Sequence, residues 1–207
     1  MPNNQIEPIL TERFALALSF ANAIHNKQVR KGYEESPGVP YISHLMTVSS
    51  SVLEFGGSET EAIAALLHDS AEDCGGRPML EVVRAMFGDE VAEIVEGCTD
   101  TFESPKPDWN QRKQVYVDHL KHASRSIKLV AGCDKLHNLN TTIRDLRSKP
   151  PKGYWDKFNA GPEQQSWYYA SCRDALQGSP VVDEFERSFQ EFGVILRERK
   201  EIDHGAS

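Results

Sequence analysis

The chain has 207 residues, 39% of them apolar and 26% charged, with 23 Lys and Arg against 31 Asp and Glu and a formal net charge of −8. That length and balance describe one globular domain with a buried core, not a disordered or fibrous chain. No run of about 18–20 apolar residues offers a membrane span, and the acidic total argues against broad nucleic-acid binding, which takes a basic surface.

Helical periodicity runs through the whole chain. Between Thr11 and Asn26, the residues Phe14, Leu18, Ala21 and Ile24 share one stripe, with Thr11 as the cap. Over 43–55, Leu45, Val48, Val52 and Phe55 repeat at three- and four-residue steps, and Gly56-Gly57 ends the segment. Ser58-x-x-Glu61 reads as a capping box for a helix over 59–73, apolar at Ile63, Ala64, Leu66 and Leu67 and stopped by Gly75-Gly76. Further helices are predicted at 79–87, 89–98, 110–122, 125–147, 162–177 and 181–201, the last with Val182, Phe185, Phe189 and Phe192 on its packing face. The Gly- and Pro-containing segments 32–40, 103–109 and 148–162 are loops within one domain. No alternating strand pattern extends beyond a few residues. The expected fold class is all-α, an irregular helical bundle.

Cys74, Cys98, Cys133 and Cys172 form no C-x-x-C pair and no short spacing. Reduced, mostly buried thiols in a cytoplasmic protein are the expectation, supported by an N-terminus without a signal-peptide pattern.

The densest chemistry is His68-Asp69-Ser70-Ala71-Glu72-Asp73, where an apolar helix turns polar. Residues four apart stack on one helix face, so Glu72 falls one turn from His68 and Asp73 one turn from Asp69. His68 and Asp69 are about 100° apart around the axis and could reach one ion between them. Mixed imidazole and carboxylate donors suit a hard divalent ion of the Mn²⁺ or Mg²⁺ kind. A capped helix end with solvated acids fits this pair alone equally well. Two other segments shift the balance. His44 follows Tyr41-Ile42-Ser43 at the start of its helix, and Asp134 interrupts the apolar run from Leu129 to Cys133. A carboxylate in such a run is costly to bury unless it is paired or bound to metal.

The order His44…His68-Asp69…Asp134 is similar to the HD-domain metal signature. The likeness extends to Gln28-Val29-Arg30-Lys31-Gly32, Pro40-Tyr41-Ile42-Ser43-His44, Phe87-Gly88, Cys98-Thr99-Asp100, Arg112-Lys113 and Lys128 through Leu139. Together these resemble the guanosine tetraphosphate hydrolase domain of RelA/SpoT-type proteins, in the stand-alone small alarmone hydrolase form, over roughly residues 11–177. The resemblance implies one HD hydrolase domain over 1–207, with a C-terminal helix at about 181–201 and no room for a synthetase region.

The resemblance further implies that His44, His68, Asp69 and Asp134 bind one Mn²⁺, and that Glu72 and Asp73 orient and deprotonate the attacking water. Arg30 would pack on the base, Lys31 would face the phosphates, and Asn138 and Thr141 would contact the nucleotide. The partner it implies is a small-molecule nucleotide, with neither nucleic acid nor membrane. Where some members place a lysine after Thr99-Asp100, this chain has Thr101-Phe102, and Lys106, Arg112 or Lys113 could substitute. An adenosine alarmone or NADPH as substrate, and a non-catalytic nucleotide sensor, stand as alternatives. Trp155, Phe158, Trp167, Tyr168 and Tyr169 are candidates for a pocket wall, with core packing the commoner fate for any one of them. His25, His119, His122 and His137 read as surface or core histidines.

Overall fold

The computed structural model describes residues 9–33, 38–103, 105–148 and 154–205, with side chains to Arg199. Parts of all three predicted loops, 34–37, 104 and 149–153, therefore lie outside the described residues. In chain order the α-helices are α1 (Glu12–Ile24), α2 (Ile42–Glu54), α3 (Glu59–Leu67), α4 (Ser70–Cys74), α5 (Gly76–Phe87), α6 (Asp89–Cys98), α7 (Trp109–His122), α8 (Arg125–Arg147), α9 (Pro162–Ala175) and α10 (Val182–Gly205). A 3-10 turn covers Tyr154–Lys157. Among the described residues the only β pairing is an isolated antiparallel bridge, Val29 with Pro40. The all-α expectation holds, and no described helix is long and apolar enough to cross a membrane.

The core centres on α3. Ala62 through Leu67 are all buried, as expected of a helix apolar on every side. It packs against α1, α2, α6 and α8. Burying each of its leucines contributes about 1.5–3 kcal/mol relative to exposure. Its start is the predicted capping box: Ser58 N–H donates to Glu61 Oε2 at 2.7 Å, and Glu61 N–H to Ser58 Oγ at 3.3 Å. Thr11 caps α1 through the Arg13 amide. At the other end of the chain, Phe185 and Phe192 are buried as their stripe predicts, whereas Val182 and Phe189 are half-buried.

The predicted helix over 59–73 is two helices. It breaks at His68 and Asp69, between α3 and α4. The cause is local: His68 Nδ1 donates to the Ala65 carbonyl at 2.8 Å, the oxygen a continuing helix would offer to the Asp69 amide. The turn resumes when Asp73 N–H reaches the Asp69 carbonyl at 2.9 Å, and Gly75, at φ 146°, ends α4.

α8 packs on α2, α3, α6, α9 and α10 and spans the molecule in 23 residues. Gly132 lies where it meets Val181 and Leu176, and a Cβ there would collide with Val181 Cγ1. Overpacking of this kind costs roughly 1–3 kcal/mol, against at most about 1 kcal/mol returned by alanine's helix propensity. Gly132→Ala should therefore lower the thermal midpoint by a few degrees, at about 2–4 °C per kcal/mol for a chain of this size. An unchanged or raised midpoint in a calorimetric scan would show that α8 and the 176–181 turn give way freely.

Candidate metal centre and adjoining cavity

Three elements bring the ligand-type residues together. α2 supplies His44, the α3–α4 break supplies His68 and Asp69, and α8 supplies Asp134. One donor atom each from His44, His68 and Asp134 lie within 4.8 Å of one another, all three residues buried. Asp69 joins from the side, with Oδ2 3.1 Å from His68 Nε2 and 3.6 Å from His44 Nε2. Asp134 Oδ1 stands 3.1 Å from His44 Nε2 and 3.6 Å from His68 Nε2. Both imidazoles thus point Nε2 at the same two carboxylates.

The donors fit a divalent cation, and the decisive sign is an orphaned atom. His68 Nε2 is fully buried without a hydrogen-bond partner. Its Nδ1 carries the hydrogen, because the Ala65 carbonyl it touches can only accept. The free lone pair on Nε2 therefore faces the cluster, the arrangement a metal ligand needs. Each of the other three has a second partner as well. Tyr41 Oη donates to Asp69 Oδ2 at 2.5 Å, and His44 Nδ1 meets His137 Nδ1 at 2.6 Å. Asn138 Nδ2 donates to Asp134 Oδ1 at 2.7 Å and Lys135 Nζ to Oδ2 at 2.5 Å.

The electrostatics agree. Burial opposes a charge on His68, yet the Asp69 and Asp134 carboxylates outweigh it and raise the imidazole well above 6.5. Burial likewise opposes a charge on Asp134, and the neighbouring Lys135 and His68 hold it well below the usual carboxylate range.

Glu72 and Asp73 lie on α4, the short helix that Asp69 begins. Burial, then the Asp69 charge, raises the Asp73 carboxyl, and Gln28 Nε2 holds its Oδ2 at 2.8 Å. Glu72 accepts from the Asp100 amide at 3.2 Å and from Lys106 Nζ at 2.7 Å. Among the three candidate substitute cations, Lys106 is the one that reaches Glu72; Arg112 and Lys113 both pair with Asp100.

A cavity of about 280 Å³ adjoins the cluster, sharing neighbours with it although His44, His68, Asp69 and Asp134 do not line it. Tyr41, Lys135 and Asn138 serve both, each lining the cavity and bonding a cluster carboxylate. Five basic side chains line it (Arg30, Lys31, Lys113, Lys135 and Lys157) against one acid, Asp145. The local sign is thus opposite to that of the whole chain. Arg30 and Lys31 are set by the Val29–Pro40 bridge, which closes their loop through Arg30 N–H to the Val39 carbonyl at 2.8 Å. Arg30 Nη2 donates to Asn138 Oδ1 at 2.8 Å, and Thr141 lies one turn beyond on the same wall. Burial, with Lys135 and Arg112 nearby, pulls the Lys113 amine down to about 7.

An HD-domain family profile matches residues 17–154. The chain belongs to the HD-domain family. Among its relatives, the guanosine-3′,5′-bis(diphosphate) 3′-pyrophosphohydrolase MESH1 of Xenopus tropicalis is 38% identical over 140 residues, 67% of this chain and 72% of that protein. MESH1 of Danio rerio is 33% identical over 187 residues, 88% of this chain and 97% of its own. A solved structure of a metazoan SpoT orthologue, described as hydrolysing ppGpp, superposes with a TM-score of 0.65 at 28% identity, covering 91% of this chain and 96% of that one.

Within this HD domain, His44, His68, Asp69 and Asp134 form the cluster and Arg30, Lys31, Asn138 and Thr141 line the cavity, whereas Glu72 lines a second pocket together with Lys106. The aromatic candidates divide: Phe158, Tyr168 and Tyr169 line the cavity, while Trp155 packs against Tyr154 and Phe158, and Trp167 meets Trp109 at the surface. The motif spacing alone does not single out Tyr41, Gln28, His137, Lys135 or Lys157. For His137 a signal exists, since it lies three residues after Asp134 on one helix.

Proposed function

We propose that this HD domain hydrolyses the 3′-pyrophosphate of guanosine alarmones, converting ppGpp or pppGpp to GDP or GTP plus pyrophosphate, with Mn²⁺ as its cation and the cytoplasm as its compartment. The observation that carries this reading is the juxtaposition of a His/His/Asp/Asp cluster with a cavity walled by five basic side chains. The names of the MESH1 relatives support the substrate.

In this reading His44, His68, Asp69 and Asp134 hold the metal, and residues 1–207 act as one hydrolase domain. A divalent cation there would supply Lewis acidity, polarising the phosphoryl oxygen and acidifying water. Glu72 and Asp73 orient the attacking water and take its proton. The new oxygen–phosphorus bond forms as the ribose 3′-oxygen–phosphorus bond breaks, and the departing 3′-oxygen takes up a proton. Arg30 packs on the base, Lys31 faces the phosphates, and Asn138 and Thr141 fix the nucleotide. The wall cations stabilise charge on the phosphoryl oxygens.

Lys106 takes the place of the missing lysine after Asp100 and meets the far phosphate of the 3′-pyrophosphate. Losing a charge-assisted hydrogen bond costs about 1.5–3 kcal/mol, which is roughly a 10- to 100-fold effect. Lys106→Ala should raise KM for ppGpp by that factor beyond whatever loss it causes, through its partner Glu72, on a 3′-monophosphate nucleotide. Equal losses on both substrates would remove Lys106 from the far phosphate. The proposal as a whole is tested by pyrophosphate release from a panel of 3′-phosphorylated nucleotides with added Mn²⁺.

A further inference from the structure

Of the two imidazoles among the proposed ligands, His68 is oriented by a backbone carbonyl and His44 by a side chain. His44 Nε2 faces Asp134 Oδ1 at 3.1 Å and Asp69 Oδ2 at 3.6 Å, so this is the nitrogen that meets a cation in the cluster. A neutral imidazole that offers the Nε2 lone pair must carry its hydrogen on Nδ1. His44 is 1% exposed, and a buried N–H without an acceptor is costly. The partner at that nitrogen is His137 Nδ1, 2.6 Å away, with the two rings stacked at 4.8 Å and 27°.

We propose that His137 is a positioning residue for His44: its Nδ1 lone pair accepts the His44 Nδ1–H, fixing the tautomer and ring angle that aim Nε2 at the metal centre. The inference rests on the metal reading above. It places the hydrogen of His137 on Nε2. It also separates the two imidazoles of the centre. His68 is held by the Ala65 carbonyl, which no side-chain substitution removes, whereas the hold on His44 is a side chain. One helix, α8, therefore carries the ligand Asp134, the residue that orients His44 three positions on, and Asn138, which braces Asp134.

The rings are also stacked, so packing has to be told apart from hydrogen bonding. His137→Phe keeps a ring and loses the acceptor. His137→Asn loses the ring and keeps an acceptor, its Oδ1 falling near the place of Nδ1. Mn²⁺ titrated calorimetrically into the metal-free full chain gives a readout independent of turnover, and circular dichroism checks that each variant is folded. Loss of an outer partner of a metal ligand typically weakens binding 10- to 100-fold. That loss is expected for His137→Phe, with His137→Asn within a few-fold of the parent. His137→Leu provides the acceptor-free arm should the Phe variant not fold. Parental affinity in the acceptor-free variant, or equal weakening in the Phe and Asn variants, would overturn the positioning role while leaving the metal centre standing. A parent chain that binds no Mn²⁺ would overturn both.

Discussion

Asp69→Ala is expected to lose bound metal and turnover together while the bundle stays folded. Asp69 Oδ2 is the carboxylate oxygen nearest His68 Nε2, at 3.1 Å, and it also faces His44. Removing it deletes one of the two anions both imidazoles share, leaving three of the four donors that would hold the ion. The cation's contribution to phosphoryl transfer is worth several kcal/mol, and each 1.36 kcal/mol is tenfold in rate; the expected fall in kcat/KM is on the order of a thousandfold. The fold should tolerate the change. Asp69 starts α4 without a side-chain capping bond, so the helix does not depend on it. The structural cost is the Tyr41 hydroxyl left without its acceptor, about 1–3 kcal/mol for a buried donor. Equilibrium dialysis for metal, beside a steady-state assay, checks the two losses. A variant with parental metal content and a rate within tenfold of the parent would remove Asp69 from the centre.

Glu72→Gln should separate what Asp69→Ala joins, keeping the metal and losing most of the rate. Neither Glu72 oxygen belongs to the converging donor set; one accepts from the Asp100 amide and the other from Lys106. Glutamine preserves the length and the acceptor for that amide, so the local structure is held. It cannot take a proton from water. General-base assistance contributes typically 10²- to 10⁴-fold, and kcat should fall by that factor with metal affinity within a few-fold of the parent. Asp73→Asn is the companion, because Asp73 has the raised carboxyl and Gln28 as its brace. A near-parental kcat for Glu72→Gln would pass the proton to Asp73.

Much of the fold is legible in the sequence because helical burial leaves a periodic trace. The stripes through Phe14 and Ala21, through Leu45 and Val52, and through Phe185 and Phe192 all lie against the core. The break at His68 leaves no such trace. It arises when a side chain takes a backbone carbonyl, and residues 59–73 keep an uninterrupted helical pattern around it. The cluster is legible because a buried acid and two histidines among apolar neighbours need compensation, and the structure brings them together. The cavity wall is less so. Lys113 comes from α7 and Lys157 from the 3-10 turn, segments that meet α8 only through tertiary packing. Asp145 is an intermediate case: it lies eleven residues after Asp134, on the same face as Asn138 and Thr141, and its partners Tyr154 and Lys157 follow within twelve residues but outside the helix, while Tyr33 comes from far along the chain.

The most direct assay is pyrophosphate release by the metal-free full chain incubated with ppGpp, with and without added Mn²⁺, alongside the adenosine counterpart and NADPH. The predicted result is stoichiometric GDP and pyrophosphate from ppGpp only when Mn²⁺ is present, with slower or no turnover of the adenine nucleotides. Turnover confined to the adenine nucleotides would contradict the guanosine substrate, and no Mn²⁺-dependent release from any of them would contradict the hydrolase itself.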